Sequence, residues 1–225
     1  MCGRFTLRRP ERIKFEQMRR LSEILRRYNI APSQEVVGIT QSDDRRNLSL
    51  FVWGLIPSWS KEPKGFINAR AETLEDKPSF SESFLQRRCL IPADGFYEWQ
   101  RSGKTKQPYY FQLADEGPFA FAGIWDEWQK DGVSIASCAI ITTKPNQLLT
   151  TIHDRMPVML SEEAQDAWLR ADARPKELMS LLVPYPAAAM KSYPVSQRVN
   201  HAQAEDAELV EPIDLVAEPT NLRLF

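Results

Sequence analysis

The stretches FAFAGIWDEW (residues 119–128) and SIASCAIITT (residues 134–143) decide the fold of this chain. Both consist largely of β-branched, aromatic and small residues bounded by turn residues, which is the pattern of β-strands. Three further runs of this kind are EVVGIT (35–40), LSLFVWG (48–54) and PYYFQL (108–113). The polar segment RSGK (101–104) is predicted to form a turn between two strands. The middle of the chain is therefore predicted to be rich in strands.

Three helices are predicted outside this strand-rich region. Residues 10–27 (PERIKFEQMRRLSEILRR) begin with a proline suited to a first helical turn and place apolar residues three and four apart. These apolar residues are Phe15, Met18, Leu21 and Leu25. Residues 161–170 begin with an imperfect capping box at Ser161, and residues 174–182 form a second short helix. Because strands and helices do not alternate, we predict an α+β fold with a mostly antiparallel, barrel-like core flanked by helices.

The composition of the chain is that of one soluble globular domain. It has 225 residues, of which 43% are hydrophobic and 26% charged. No apolar run is long enough to cross a bilayer, and no apolar stretch of signal-peptide length follows the basic residues between positions 4 and 27. We therefore expect a cytoplasmic protein without a membrane partner.

The cysteines and histidines do not form a metal-binding pattern. Cys2, Cys89 and Cys138 are odd in number and far apart, no C-x-x-C pair occurs, and the two histidines are distant from each other. We expect free thiols in a reducing compartment and no metal site.

The net charge of −1 hides an asymmetry between the two halves of the chain. Residues 1–110 carry 20 Lys and Arg against 13 Asp and Glu, whereas residues 111–225 carry 9 against 17. A polyanionic partner is one interpretation of the basic half, and a solvated helix surface is the other.

Cys2 is the first candidate for chemistry, because removal of Met1 would make it the N-terminal residue. It would then carry an α-amine and a thiol on adjacent carbons, with ordinary pKa values of about 7.7–8.0 and about 8.5. Such a 1,2-aminothiol condenses with an aldehyde to an imine, and the thiol then closes a thiazolidine ring in an intramolecular step. The alternative is an incidental buried cysteine near a terminus.

Three further segments carry polar residues with catalytic potential. Asn68 and Arg70 in GFINARAET lie two apart, on one face of a strand, where they can orient a carbonyl and bind an anion, or they belong to a surface turn. Glu98 lies among aromatic residues, which favours a raised pKa and acid–base chemistry, or it is a salt-bridged strand residue. His153 can move protons near neutral pH, or it is structural; Arg155 beside it is a second anion-binding candidate. Together with Cys2 these residues suggest covalent catalysis.

Seven segments in order along the chain resemble motifs of the SRAP (SOS response-associated peptidase) family. They are MCGRF (1–5), RYNIAPSQ (27–34), WGLIPSW (53–59), INARAET (67–73), CLIPADGFYEW (89–99), IHDRMPV (152–158) and PVSQRVN (194–200). We assign residues 1–218 to one SRAP domain and residues 219–225 to a C-terminal tail.

The resemblance implies a monomer that binds abasic sites in single-stranded DNA and captures the aldehyde as a thiazolidine, without a metal or organic cofactor. By resemblance, the catalytic residues are Cys2, Asn68, Glu98 and His153. The resemblance further implies DNA contacts, which fall on Arg4, Asn29, Pro32, Trp59, Arg70, Lys77, Thr142 and Arg155. Ser60 and Pro78 depart from the family pattern, which predicts a smaller aromatic wedge and altered DNA affinity.

Two other functions stay open at the level of sequence. The first is a cysteine or N-terminal-nucleophile peptidase limited to self-processing, which would use Cys2 with His153. The second is a module that binds single-stranded DNA without covalent chemistry.

Overall fold

The structure, a computed structural model, describes residues 2–15, 26–43, 45–103 and 105–215. Thirteen strands lie in these ranges. In chain order they are β1 (Arg4–Leu7), β2 (Arg27–Ile30), β3 (Glu35–Ser42), β4 (Arg45–Trp53), β5 (Asn68–Arg70), β6 (Arg88–Ala93), β7 (Gly95–Ser102), β8 (Thr105–Leu113), β9 (Phe119–Lys130), β10 (Val133–Thr143), β11 (Met156–Pro157), β12 (Met159–Leu160) and β13 (Met190–Pro194).

The strands form two sheets. The first has five antiparallel strands in the order β13-β8-β7-β1-β2. In the second, β10 pairs with β4, β4 with β3, β3 with β6, β6 with β9, and β9 with β10 again. These five strands therefore close into a barrel, to which β5, β11 and β12 add short pairings. The mostly antiparallel, barrel-like core predicted from the sequence is confirmed.

Short helices flank the sheets. They are α1 (Ser81–Gln86), α2 (Glu162–Leu169) and α3 (Pro175–Ser180). The side chain of Ser161 accepts a hydrogen bond from the Ala164 backbone N–H at the start of α2, so the predicted cap is present. None of the helices in the described ranges has the length and apolar character that a membrane span requires.

The structure describes only the two ends of the helix predicted over residues 10–27, and the prediction is wrong at both of them. Pro10–Arg12 form a single 3-10 turn, and the backbone is extended at Ile13. Ile13 and Phe15 nevertheless pack against the core, so their apolar character reflects burial of an irregular segment rather than a helical face. Arg27 already belongs to β2. Residues 16–25, and likewise the predicted tail at 219–225, lie outside the described residues.

The two sheets share one core, and β1 is pinned within it. Phe5 on β1 is 1% exposed, and its ring packs edge-on against Trp53 (5.2 Å) and Phe121 (5.7 Å) of the barrel. Edge-to-face aromatic pairs add to the free energy gained by burial alone. The N-terminal strand is therefore fixed between the five-stranded sheet and the barrel rather than frayed.

The corner between β6 and β7 holds the other end of β1. The buried carboxylate of Asp94 accepts hydrogen bonds from the Thr6 hydroxyl (2.6 Å) and from the backbone N–H groups of Arg8 (2.7 Å) and Arg9 (2.8 Å). Gly95 follows Asp94. A Cβ atom at position 95 would lie 1.9 Å from the Tyr110 hydroxyl oxygen, so only glycine fits there.

Candidate active site

Cys2 lies two residues before the start of β1, at the seam between the two sheets. It is completely buried and has no disulfide partner. Strand β1 lies between β7 and β2 in the five-stranded sheet, and Arg4 on β1 is paired with Tyr97 on β7. This pairing brings the N-terminal segment beside Glu98, the next residue of β7.

Asn68 reaches Cys2 from the barrel side of the seam. Its Nδ2 donates a hydrogen bond to the backbone carbonyl of Cys2 (2.9 Å). Asn68 begins β5, which runs parallel to β10 with Asn68 opposite Ile140. The Oδ1 atom of Asn68 is buried and has no hydrogen-bond partner in the described parts of the protein. The amide thus holds Cys2 through one atom and leaves an acceptor for a bound group.

Glu98 supplies an acid–base group with a perturbed pKa. Its side chain is 1% exposed, and this burial raises the pKa of Glu98 to about 7 because a low dielectric disfavours the charged form. Burial also raises the pKa of the Cys2 thiol well above its usual range, and the neighbouring Glu98 carboxylate raises it further. The raised pKa expected for Glu98 is confirmed, and near neutral pH this side chain can give or accept a proton.

His153 is held as a neutral ring. Partial burial lowers the pKa of His153 below its ordinary value. The backbone N–H of Arg155 donates to Nδ1 of the ring (3.0 Å), which assigns the remaining proton of the neutral form to Nε2. Nδ1 also lies 2.9 Å from a carboxylate oxygen of Asp154, a contact that becomes an ion pair when the ring is protonated.

Glu98 and His153 line one surface cavity of about 380 Å³. Its other lining residues are Arg4, Trp99, Arg101, Lys106 and Asn200. Three of the seven residues are permanent cations and one is an acid whose pKa is near 7. The cavity therefore suits an anionic ligand. Of these residues, only Arg4, Glu98 and His153 are predicted from the sequence to belong to the site.

A second group of predicted residues gathers beside β5. Thr142 on β10 is paired with Arg70 on β5, and Arg155 donates to the Thr142 carbonyl (2.6 Å). The guanidinium of Arg155 is also engaged by both carboxylate oxygens of Glu72 (2.7 and 2.8 Å). Arg155 lowers the pKa of Glu72, as expected for a bidentate pair. Arg70 is exposed, whereas Arg155 is half-buried.

Asn29 lies inside the protein. It is fully buried, and its Nδ2 donates to the backbone carbonyls of Val199 (3.3 Å), His201 (3.0 Å) and Ala204 (3.0 Å). These bonds fix the loop that presents Asn200 to the cavity. The side chain of His201 is exposed, and the carbonyl of this residue also accepts a hydrogen bond from the Ala204 backbone N–H (3.0 Å).

The remaining predicted DNA contacts lie on exposed turns. Trp59 is 62% exposed in the turn that the Ser60 N–H closes on the Pro57 carbonyl (2.8 Å). Pro32 is half-buried and Lys77 is exposed. No described contact joins these three residues to Cys2, and their contacts with DNA stay predictions.

The described part of the chain contains no candidate metal site. No group of three or more His, Cys, Asp or Glu side chains there is arranged to hold a metal ion. Cys89 and Cys138 are both free and fully buried in the core shared by the two sheets.

Comparison with known proteins agrees with this geometry. The chain is 45% identical over 222 residues to the Abasic site processing protein YoqW of Bacillus subtilis, which covers 94% of this chain and 99% of that protein. It is 33% identical over 193 residues to the Abasic site processing protein YedK of Escherichia coli, covering 85% and 86% of the two chains. A crystal structure of a Bacteroides thetaiotaomicron protein superposes with a TM-score of 0.80 at 29% identity, covering 94% of this chain and 100% of that one. The sequence profile described as SOS response associated peptidase (SRAP) matches residues 1–202. With a family match over most of its length and relatives of this similarity, the chain belongs to the SRAP family.

Proposed function

We propose that this protein processes abasic sites in single-stranded DNA by forming a thiazolidine crosslink through Cys2 after Met1 is removed. One observation carries the proposal: Cys2 is held by the Asn68 amide at 2.9 Å and lies beside Glu98, whose pKa is about 7. Relatives of this chain bear the name Abasic site processing protein, which supports the same substrate. We expect the protein to act in the cytoplasm as a monomer without a metal or organic cofactor.

The covalent chemistry needs no external reagent. The α-amine of Cys2 adds to the open-chain aldehyde, and loss of one water molecule gives an imine. The thiol then adds to the imine carbon as its proton passes to the nitrogen, which closes the five-membered ring. Water is the only by-product, and hydrolysis reverses the sequence. Met1 must be removed first, because the Cys2 nitrogen is otherwise an amide without nucleophilic character.

The pKa directions support this order of steps. Burial and the Glu98 carboxylate raise the pKa of the Cys2 thiol, which favours attack by the amine before attack by the thiol. With a pKa of about 7, Glu98 exists in both protonation states at neutral pH. It can therefore donate a proton when water leaves the carbinolamine and accept the thiol proton during ring closure.

His153 has a separate part in the reaction. Because Nδ1 accepts the Arg155 N–H, the neutral ring presents Nε2–H as a donor. A donor at this position suits the ring oxygen of the closed abasic sugar, whose opening releases the aldehyde. Arg4, Arg70 and Arg155 would bind flanking phosphates, and Trp59 would stack on a base with Pro32 beside it.

The test is adduct formation by protein whose intact mass shows that Met1 is gone. Such protein is incubated with a single-stranded oligonucleotide carrying one abasic site, and the products are separated under denaturing conditions. We expect a stable adduct from the wild type and from Cys138→Ala, which removes another buried thiol. Cys2→Ser should give only an imine that borohydride traps.

Two results would overturn this proposal. Processed wild-type protein that forms no adduct would exclude the chemistry, and an equally stable adduct from Cys2→Ser would exclude the thiol. Retention of all DNA-dependent function by Cys2→Ala would instead favour a non-covalent binding module.

Self-processing at Met1 is a second candidate activity. It is supported by the peptidase in the family name and by Glu98 next to Cys2. If the protein removes its own first residue, an amino-terminal extension placed before Cys2 should be lost from purified protein, and Glu98→Gln should retain it.

A further inference from the structure

We propose that Arg101 and Lys106, on the hairpin formed by β7 and β8, bind the DNA backbone where it leaves the site cavity. This inference rests on the proposed function and extends it. The bound group is a phosphodiester of the strand that carries the lesion. The strand would then cross the seam between the sheets, from Arg70 on the barrel to Arg101 and Lys106 on the five-stranded sheet.

The first observation is the pairing of two like charges. Arg101 on β7 and Lys106 on β8 are directly opposite partners in the antiparallel ladder. Like charges in directly opposed positions repel each other and destabilise the pairing. An anion between the two side chains would remove this repulsion.

The second observation is that no residue described by the structure neutralises either cation. Many arginines of this molecule form ion pairs, as Arg87 does with Glu82 (3.0 Å) and Arg198 with Glu208 (2.7 Å). Arg101 and Lys106 are exposed, and neither has an ion pair with any residue that the structure describes. Their charges are available to a ligand.

The third observation is the place of the pair within the site. Arg101 and Lys106 line the same cavity as Arg4, Glu98 and His153. The positive charge of Arg101 also contributes to the lowered pKa of His153, which places the guanidinium within electrostatic reach of that ring. A sugar held at Cys2 and Glu98 would therefore bring a neighbouring phosphate toward the pair.

The pair is not expected to take part in bond making. Both side chains are long and exposed, so they would hold the strand and set its direction while Asn68 and Glu98 act on the sugar. A contact of this kind contributes affinity through counterion release, which is independent of base sequence and depends on salt.

The experiment compares two double variants that remove the same charges. Arg101→Gln/Lys106→Gln removes the cavity pair. Arg45→Gln/Lys176→Gln removes one exposed Arg and one exposed Lys that lie outside the cavity lining. Binding of an undamaged single-stranded oligonucleotide is measured by fluorescence anisotropy over a range of salt concentrations. A third variant, Arg101→Lys/Lys106→Arg, retains both charges.

We expect the cavity double variant to bind on the order of tenfold more weakly at low salt. The slope of log affinity against log salt should become shallower by about 0.7 for each lost phosphate contact, hence by about 1.4. The Arg45 and Lys176 variant should match the wild type, and the charge-retaining variant should recover the wild-type slope. A cavity variant with the wild-type affinity and slope would overturn the inference.

Adduct formation on an abasic oligonucleotide separates this inference from the proposed function. If the wild type forms the adduct and the cavity variant keeps the full salt slope, only the role of Arg101 and Lys106 is overturned. If the wild type forms no adduct but the cavity variant loses salt-dependent binding, the crosslinking proposal is overturned and the binding surface is supported. At saturating DNA the cavity variant should still form the adduct, because its reactive groups are unchanged.

Discussion

At the scale of single residues, Glu98 couples the chemistry of the site to protein stability. Its ordinary pKa of 4.5 rises to about 7 because the side chain is buried. The unfolded chain therefore loses the Glu98 proton at lower pH than the folded chain does. Between these two pKa values the folded state binds more protons, so stability falls as pH rises. The group imposes no penalty below about pH 4.5, and its full penalty applies above about pH 7.

Glu98→Gln should remove this pH dependence. The rise from 4.5 to about 7 corresponds to about 3 kcal/mol, so the variant should be more stable than the wild type by up to that amount at pH 8 and nearly equal to it at pH 4.5. Urea denaturation across this pH range measures the difference, with Glu35→Gln at an exposed position as the control. A constant difference between variant and wild type at all pH values would contradict the assignment. The same variant should lose crosslinking activity, because glutamine cannot transfer the proton.

Glu72 and Arg155 show competition between an internal ion pair and a predicted DNA contact. The bidentate pair occupies the guanidinium, and a phosphate would have to displace or share it. Glu72→Gln should therefore tighten binding of single-stranded DNA severalfold, and Arg155→Gln should weaken it. Anisotropy titrations of both variants and of the double variant measure the coupling. If Glu72→Gln still tightens binding when Arg155 is already replaced, the effect comes from net charge and not from release of Arg155.

At the scale of secondary-structure elements, β1 places Cys2 because both of its ends are fixed. Phe5 packs into the shared core, and Asp94 at the β6–β7 corner accepts two backbone N–H groups just after β1. A buried carboxylate that satisfies backbone donors is costly to replace, since those donors lose their partners.

Asp94→Asn should destabilise the protein by about 1–3 kcal/mol, because the amide cannot accept all the hydrogen bonds of the carboxylate. Asp166→Asn is the matched control: that residue pairs with Arg46 on an exposed surface, where such pairs contribute less than about 1 kcal/mol. Urea denaturation at pH 7 compares the two, and equal losses would contradict the role of Asp94. Crosslinking by folded Asp94→Asn should also slow, since Cys2 is held less firmly.

Some of these elements and contacts can be predicted from the sequence, and others cannot. The strands at 119–128 and 134–143 follow from local composition and are found in β9 and β10. The helix expected at 10–27 is wrong at residues 10–15 and at Arg27, because apolar residues such as Phe15 also fit an irregular segment packed on the core. The contact of Asn68 with Cys2 joins residues 66 positions apart, and only tertiary pairing creates it. Family motifs could name both residues, whereas Arg101 and Lys106 resemble any solvated charges beside a turn.

At the scale of the whole molecule, the site exists only where two sheets meet. Cys2 and Glu98 belong to the five-stranded side, whereas Asn68 belongs to the barrel side. One hydrophobic cluster contains Phe5 and Phe96 from the first sheet together with Trp53 and Phe121 from the second. Separation of the sheets would expose this cluster and dismantle the site in the same step.

The shared core predicts that both sheets unfold in a single transition. Two-state unfolding is the rule for domains below about 150 residues, and a chain of 225 residues with two sheets has the size to unfold in stages. Far-UV circular dichroism, tryptophan fluorescence and DNA binding should nevertheless share one urea midpoint. Phe5→Leu, which weakens the junction by about 1 kcal/mol, should shift all three midpoints together, and Val133→Ala at an exposed position should shift none. If DNA binding were lost at a lower urea concentration than the circular dichroism signal, the sheets would be separable units. Cys2 would then depend on a docking equilibrium rather than on global folding.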